Sequence, residues 1–266
     1  MCNFKQSETK HLNHDPAERK SLMTQQVNTK YALVTGASRG IGEAIATALA
    51  AEGYHLYITC RSSMEQLTEL SHRLSDTYSI SCTPLFGDIG NPDDVEKIFQ
   101  GISGLDVLVN NAGVSYIGLL QEMSVSEWQQ VMNTNLNSMF YTSRLAIPHM
   151  LQRKSGKIIN ISSVWGNCGA SMEVAYSASK GGVNSFTRAL AKELAPSNIQ
   201  VNAIACGVID TAMNGCFSPE EMDALREEIP ADRIGKPAEV AQLVCSLLQA
   251  PSYLTGQIIT LDGGWT

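Results

Sequence analysis

Tyr176 and Lys180 stand four residues apart in a segment of helical periodicity, so their side chains share one helix face. A free phenol titrates near ~10, too high to exchange protons well at neutrality, and a neighbouring ammonium lowers that value by stabilising the phenolate. Such a phenol can give a proton to a carbonyl oxygen or take one from an alcohol. Thirteen residues earlier, Ser163 follows the apolar run 157–162. A hydroxyl at the carboxyl end of a strand in an open α/β sheet can hydrogen-bond the same oxygen and hold it for attack. By position alone, Ser162 is as good a candidate as Ser163.

A second constellation supplies the partner chemistry. The run 31–35 leads into Thr35-Gly36-Ala37-Ser38-Arg39-Gly40-Ile41-Gly42, and a helical pattern follows at once. Gly36 permits a tight turn, Gly40 lets the main chain approach a pyrophosphate, and Gly42 lets the helix pack on the sheet. The free N–H groups and positive dipole end of that helix favour phosphate. This spacing predicts a dinucleotide site, and the positive ring of an oxidised nicotinamide would further stabilise a Tyr176 phenolate. The second strand ends at Cys60-Arg61, where an NAD-selective site would carry Asp or Glu. Arg61, with Arg39 in the loop, can pair a 2′-phosphate, so NADP(H) is the expected cofactor.

Seven short apolar runs (31–35, 55–60, 80–86, 105–110, 157–162, 199–204 and 257–261) position these groups. Helix-length segments separate them at about 41–52, 64–75, 92–100, 124–151, 177–194 and 237–249. Near-continuous hydrophobic strands alternating with helices predict a doubly wound, Rossmann-type α/β domain, with a seven-stranded parallel sheet over residues 31–266. Residues 1–30 are polar, lack a signal-peptide core, and read as a flexible extension. The 266 residues carry 19 Lys plus Arg against 26 Asp plus Glu, a formal charge of −7 that disfavours nucleic acid and anionic membranes. The 7 cysteines (Cys2, Cys60, Cys82, Cys168, Cys206, Cys216 and Cys245) are scattered without CxxC spacing. Neither a disulfide framework nor a metal site is expected, and a reduced cytoplasmic setting is the default.

Together the elements TGASRGIG at 35–42, Asp88-Ile89, NNAG at 110–113, Asn135, Ser163, Tyr176-Ser-Ala-Ser-Lys180, Asn202-Ala203, Gly207, Thr211 and Asp262-Gly263-Gly264 resemble the short-chain dehydrogenase/reductase family over residues 31–266. The resemblance implies that Asp88 and Ile89 flank an adenine. Asn110, Ala112 and Gly113 would support the nicotinamide-side ribose, and Ile209 and Thr211 the carboxamide and phosphates, beside Gly207. It implies a water-linked proton path from Asn135 to Lys180, and its spacing selects Ser163 over Ser162. Where the family usually has Pro-Gly, this chain has Cys206-Gly207.

Within the family the chain looks most like bacterial 3-oxoacyl-carrier-protein reductases, particularly at 253–264. Residues 161–181 and 191–196 also look like reductases of modified elongation factor P, and hydroxysteroid (bile acid) dehydrogenases share the motifs. Carrier-protein reductases dock their acidic carrier with two basic residues; here Lys154 is kept, but the other position is Ser197. A substrate lid is expected from Met213, Asn214, Gly215, Cys216 and Phe217 and the helix opened by Ser218-Pro219. With Trp165, Met172 and Val174 it would line an apolar pocket for a ketone such as a 3-oxoacyl thioester. Val183, Phe186, Leu190 and Leu194 form an apolar stripe, and Gly181-Gly182 implies close packing of another backbone. With family habit this favours a homotetramer or homodimer. A non-catalytic NADP sensor would lack Tyr176, Lys180 or Ser163, and all are present.

Overall fold

The computed structural model describes residues 29–215 and 217–266. The expected extension at 1–30 lies outside them apart from Thr29 and Lys30, as does Cys216 of the expected lid. Strands β1 (Tyr31–Val34), β2 (His55–Cys60), β3 (Cys82–Phe86), β4 (Val107–Asn110), β5 (Gly156–Ser163), β6 (Ile199–Cys206) and β7 (Ile258–Leu261) form one sheet in the order β3-β2-β1-β4-β5-β6-β7. Every pairing is parallel. The order reverses between β1 and β4, which opens a crevice at their carboxyl ends. β3 and β4 begin two residues later than the apolar runs predict, because Ile80 and Leu105 are buried without joining the ladder.

One apolar layer packs α1 (Gly40–Ala51), α2 (Met64–Tyr78) and α9 (Pro237–Gln249) on the sheet through Ile45, Leu49, Leu67, Leu70 and Val244. The opposite layer packs α3 (Pro92–Gln100), α5 (Ser138–Arg153) and α7 (Val174–Leu194) through Val95, Phe99, Met150, Leu190 and Leu194. The expected stripe on α7 is therefore core: Val183, Leu190 and Leu194 are buried, and Phe186 packs against the same cluster. Two short pieces complete the region of interest, α6 (Trp165–Cys168) and α8 (Pro219–Glu228), the latter opened by a Ser218–Glu221 capping box. No helix among the described residues is long and apolar enough to cross a membrane.

The single helix expected over 124–151 is a composite. α4 (Val125–Met132) passes into a π-helical turn at Asn133–Asn137 before α5 begins. Asn, Thr and Ser compete with the main chain for hydrogen bonds and so weaken regular α-helix. Here Asn137 Nδ2 donates to Asn133 Oδ1 at 2.7 Å and Ser138 Oγ to the Thr134 carbonyl at 2.6 Å. The close main-chain approach expected at Gly181-Gly182 is made at Gly181, where a Cβ would lie 3.6 Å from the Gly166 carbonyl oxygen. A Cβ on Gly182 would meet the Leu136 side chain at 2.7 Å, whereas main chain meets main chain at Gly166, whose Cβ would lie 2.7 Å from the Lys180 carbonyl.

Candidate active site

The carboxyl ends of the strands border one cavity of about 570 Å³. At one end the turn after β1 crosses from strand to helix with Gly36 at φ +65°, and a Cβ there would meet Ala112 Cα at 2.8 Å. A Cβ on Gly42 would run into the Gly36 carbonyl, so α1 reaches the sheet only with glycine at that position. Arg39 is the N-cap of α1 and makes no side-chain capping bond, leaving first-turn amides for the cavity. Gly36, Ser38, Arg39, Gly40, Ile41 and Gly42 all line it. So do Arg61, Asp88, Ile89, Ala112, Gly113, Gly207, Ile209 and Thr211. Arg61 Nη1 lies 3.7 Å from Asp88 Oδ2, with both side chains partly exposed, so the guanidinium is held at the mouth beside Cys60 rather than buried. A glycine-bearing turn, uncapped helical amides and two guanidinium groups fit a phosphorylated dinucleotide.

At the other end, β5 delivers Ser163 and the first turns of α7 deliver Tyr176 and Lys180. Ser163 stands beside the Tyr176 phenol and favours its ionised form, and its hydroxyl accepts the Trp165 main-chain N–H at 3.2 Å. Ser162 points the other way: its hydroxyl donates to Asn184 Oδ1 at 2.7 Å beneath α7. Lys180 is 3% exposed, donates to the Ile161 carbonyl at 2.8 Å and lies 5.5 Å from the Tyr176 ring centre. Burial pushes the Lys180 ammonium down to about 8. Burial also holds the Tyr176 phenol well above its ordinary value, outweighing the lowering influence of neighbouring Ser163. The lowering expected from Lys180 is thus not produced by the lysine alone, because desolvation of a phenolate dominates in this enclosed position. Cys206, paired with Ser163 across the β5–β6 ladder, lines the same cavity, and burial raises its thiol to about 12.

A family model described as short chain dehydrogenase matches residues 30–222. The chain belongs to the short-chain dehydrogenase/reductase family. It is 40% identical to the uncharacterised oxidoreductase YmfI of Bacillus subtilis, over 89% of this chain and 98% of that protein. It is 38% identical to the 3-oxoacyl-[acyl-carrier-protein] reductase FabG of Aquifex aeolicus, over 91% and 99%. Among solved structures, a single-site variant of the actinorhodin polyketide ketoreductase with NADPH superposes with a TM-score of 0.84 at 33% identity, covering 90% of this chain and 97% of that one. The protein is thus a nicotinamide-dependent oxidoreductase.

One expected site residue, Asn110, is placed elsewhere than expected, and Asn135 stands near Lys180 across Gly113 with its side chain already engaged. Asn110 does not line the cavity; it is buried, donating to Asn160 Oδ1 at 2.9 Å and accepting the Thr142 hydroxyl at 2.7 Å. Its position ending β4 turns the side chain into the sheet, and the next residue faces the cavity instead. That residue, Asn111, donates to the carbonyls of Thr35 at 2.9 Å and Gly36 at 3.1 Å. Asn135 is fully buried: Oδ1 accepts the Val114 N–H at 2.8 Å, while Nδ2 donates to the Val114 carbonyl at 2.9 Å and Ser179 Oγ at 3.0 Å. With both amide hydrogens committed, a proton path through Asn135 cannot use that side chain as a donor.

The pocket lining also differs from expectation. Trp165, Met213, Asn214 and Phe217 contribute as expected, and Leu225 of α8 joins them. Met172 and Val174 do not line the cavity; both are exposed. In their place stand Glu173 and Trp265. Asp262-Gly263-Gly264 entered only as part of the family resemblance, and nothing in the sequence spacing showed that the chain after it brings Trp265 to within 4.9 Å of the Trp165 ring centre. Glu173 is the N-cap of α7, a position that sequence patterning normally assigns to capping rather than to a pocket.

Proposed function

We propose that this protein is an NADP(H)-dependent reductase that converts a ketone to a secondary alcohol. The observation that carries the reading is the convergence of Ser163 and Tyr176 on one cavity wall, with buried Lys180 behind them. Because burial keeps the phenol protonated, Tyr176 enters the reaction as an acid. A substrate carbonyl oxygen bound at this pair accepts hydrogen bonds from both hydroxyls, and the Tyr176 proton moves onto it as negative charge develops. Lys180 then stabilises the phenolate left behind. The nicotinamide cofactor, when bound, supplies the hydride. Gly36, Gly40 and the first turn of α1 would hold its pyrophosphate, with Gly113, Ile209 and Thr211 beside the nicotinamide half. Arg39 and Arg61 support a 2′-phosphate, and the NADPH in the ketoreductase structure supports the same choice.

The first substrate to test is a 3-oxoacyl thioester, supported by the names of the carrier-protein reductases among the relatives. Ser197 weighs against carrier docking in the manner of those enzymes. The decisive assay follows NADPH absorbance with an acetoacetyl thioester and a 3-keto bile acid in parallel, using Tyr176→Phe as the control. Turnover of the thioester that is lost in Tyr176→Phe supports acyl reduction; preference for the steroid reassigns the pocket to a rigid ring system. If neither reacts while NADPH binds, the ketone on modified elongation factor P is the substrate to try. Residues 31–266 form the proposed catalytic domain, in a cytoplasmic homotetramer or homodimer. Exposed Val125 on α4 and Phe140 on α5 support a second subunit there.

A further inference from the structure

Between α8 and α9 the chain runs alongside the loop that follows β6 and clasps it through main-chain contacts. Ile209 forms a parallel bridge with Gly235. The Asp210 N–H donates to the Gly235 carbonyl at 2.8 Å, and the Gly235 N–H donates to the Val208 carbonyl at 3.0 Å. A Cβ on Gly235 would lie 2.6 Å from Ile209 Cδ1, so any larger residue there would displace the Ile209 side chain. Val208, Ile209 and Thr211 line the cavity, whereas Gly235 does not. Asn214 adds a second tie to the same loop, its Nδ2 donating to the Ile209 carbonyl at 2.8 Å.

The strap 229–236 is itself held at its downstream end. Arg233 meets Glu239, in the first turn of α9, as a fork: Nη2 donates to Oε1 at 2.6 Å and Nη1 to Oε2 at 2.8 Å. Glu239 Oε2 also accepts the Lys236 N–H at 2.8 Å, so one carboxylate binds the strap on either side of Gly235. The Arg233 hydrogen bond, followed by that of the Lys236 N–H, holds the Glu239 carboxyl down at about 2, and the pair is charged at neutral pH. Both side chains are partly exposed, and a pair so placed adds little to global stability. A bidentate fork does fix orientation, and the part oriented here is the main chain that clasps residues 208–210. We infer that Arg233, Glu239 and Gly235 are positioning residues for the nicotinamide half of the cofactor, acting through residues 208–211 without touching the ligand. The inference rests on the cofactor placement proposed above and adds to it a part that lies outside the cavity.

The test splits the cofactor in two. The fragment 2′,5′-ADP keeps the phosphorylated ribose and lacks the nicotinamide, so its dissociation constant against that of NADPH isolates what the nicotinamide half contributes. Isothermal titration of the full-length protein should show NADPH binding about tenfold or more tighter than the fragment. Arg233→Ala leaves the bond between Glu239 and the Lys236 N–H in place, and Gly235→Ala moves Ile209 without changing a charge. In each variant NADPH should bind about tenfold more weakly while 2′,5′-ADP stays within about twofold. Equal losses for the two ligands, or a fall in melting temperature that accounts for them, would mark a merely structural strap and overturn the inference. Unchanged NADPH binding in both variants would overturn it as well, while leaving the cofactor placement standing. An effect of Gly235→Ala alone would overturn the assignment of Arg233 and Glu239. A wild-type preference near unity would show that residues 208–211 hold nothing, and the placement and the strap would fall together.

Discussion

The Asn111 side chain donates from one nitrogen to two successive carbonyls, those of Thr35 at 2.9 Å and Gly36 at 3.1 Å. It thereby ties the end of β4 to the turn that leaves β1, across the point where strand order reverses. The Thr35 hydroxyl closes the same knot by accepting the Asn111 and Ala112 N–H groups at 3.0 and 3.1 Å. Removing Asn111 leaves partly buried carbonyls unpaired at about 1 kcal/mol or more each. Asn111→Ala should lower the melting temperature by a few degrees and weaken NADPH binding about tenfold, read by thermal shift and fluorescence titration. Unchanged values of both would show that the glycine turn holds its shape unaided.

Adjacent serines separate chemistry from packing. Ser163→Ala should reduce kcat by about 10²–10³ with little change in melting temperature, because its hydroxyl faces the reacting oxygen. Ser162→Ala strands the buried Asn184 oxygen and should cost about 1–3 kcal/mol of stability while kcat stays within a few-fold. The reverse pattern would exchange their roles.

Lys180 titrates at about 8 in the folded chain, below its ordinary value. A base with a depressed folded pKa is charged at the expense of stability below that pKa, and the penalty lifts as pH rises toward the unfolded value. Its contribution to stability therefore improves above pH 8, while stabilisation of the phenolate is lost. Ketone reduction should decline above about pH 8 with no parallel fall in melting temperature; a loss of both together would assign the decline to unfolding instead.

Arg61→Asp replaces a guanidinium at the cavity mouth by a carboxylate. NADPH affinity should fall at least tenfold and NADH affinity little, because only the former carries the 2′-phosphate. Equal losses measured by titration would remove Arg61 from cofactor choice.

Burial raises the Cys206 thiol to about 12, and thiolate is the species that alkylates. Iodoacetamide at pH 8 should modify the exposed Cys168 well before Cys206, as read by peptide mass spectrometry. Early labelling of Cys206 would show that the β5–β6 end opens readily.

The α/β alternation and glycine turn were legible because periodicity and positive-φ turns are local properties of the chain. Tyr176 and Lys180 were legible because a helix start fixes where they point, whereas only the family's spacing told Ser163 from its neighbour Ser162. Asn110 and Asn111 were exchanged because adjacent residues of a strand end face opposite sides, and their identical type gives no pattern to choose by. Glu173 and Trp265 were missed for a different reason. One occupies a capping position without capping, and the other reaches the site only through the tertiary path of the final turn.

The π-helical turn at Asn133–Asn137 amounts to one residue more than a continuous α-helix needs. Deleting one residue there would yield a helix more regular by every local criterion and leave the two flanks in nearly their present orientation, because the wide turn spends one residue more than an α-turn on about the same arc. The change would fall on the turn itself: Asn135, whose side chain bonds Val114 and Ser179, would be removed or shifted, while α5 would keep Met139 and Thr142 buried. At this place the chain's best helix and its best enzyme are different molecules, and selecting variants for helical regularity alone would arrive at the first.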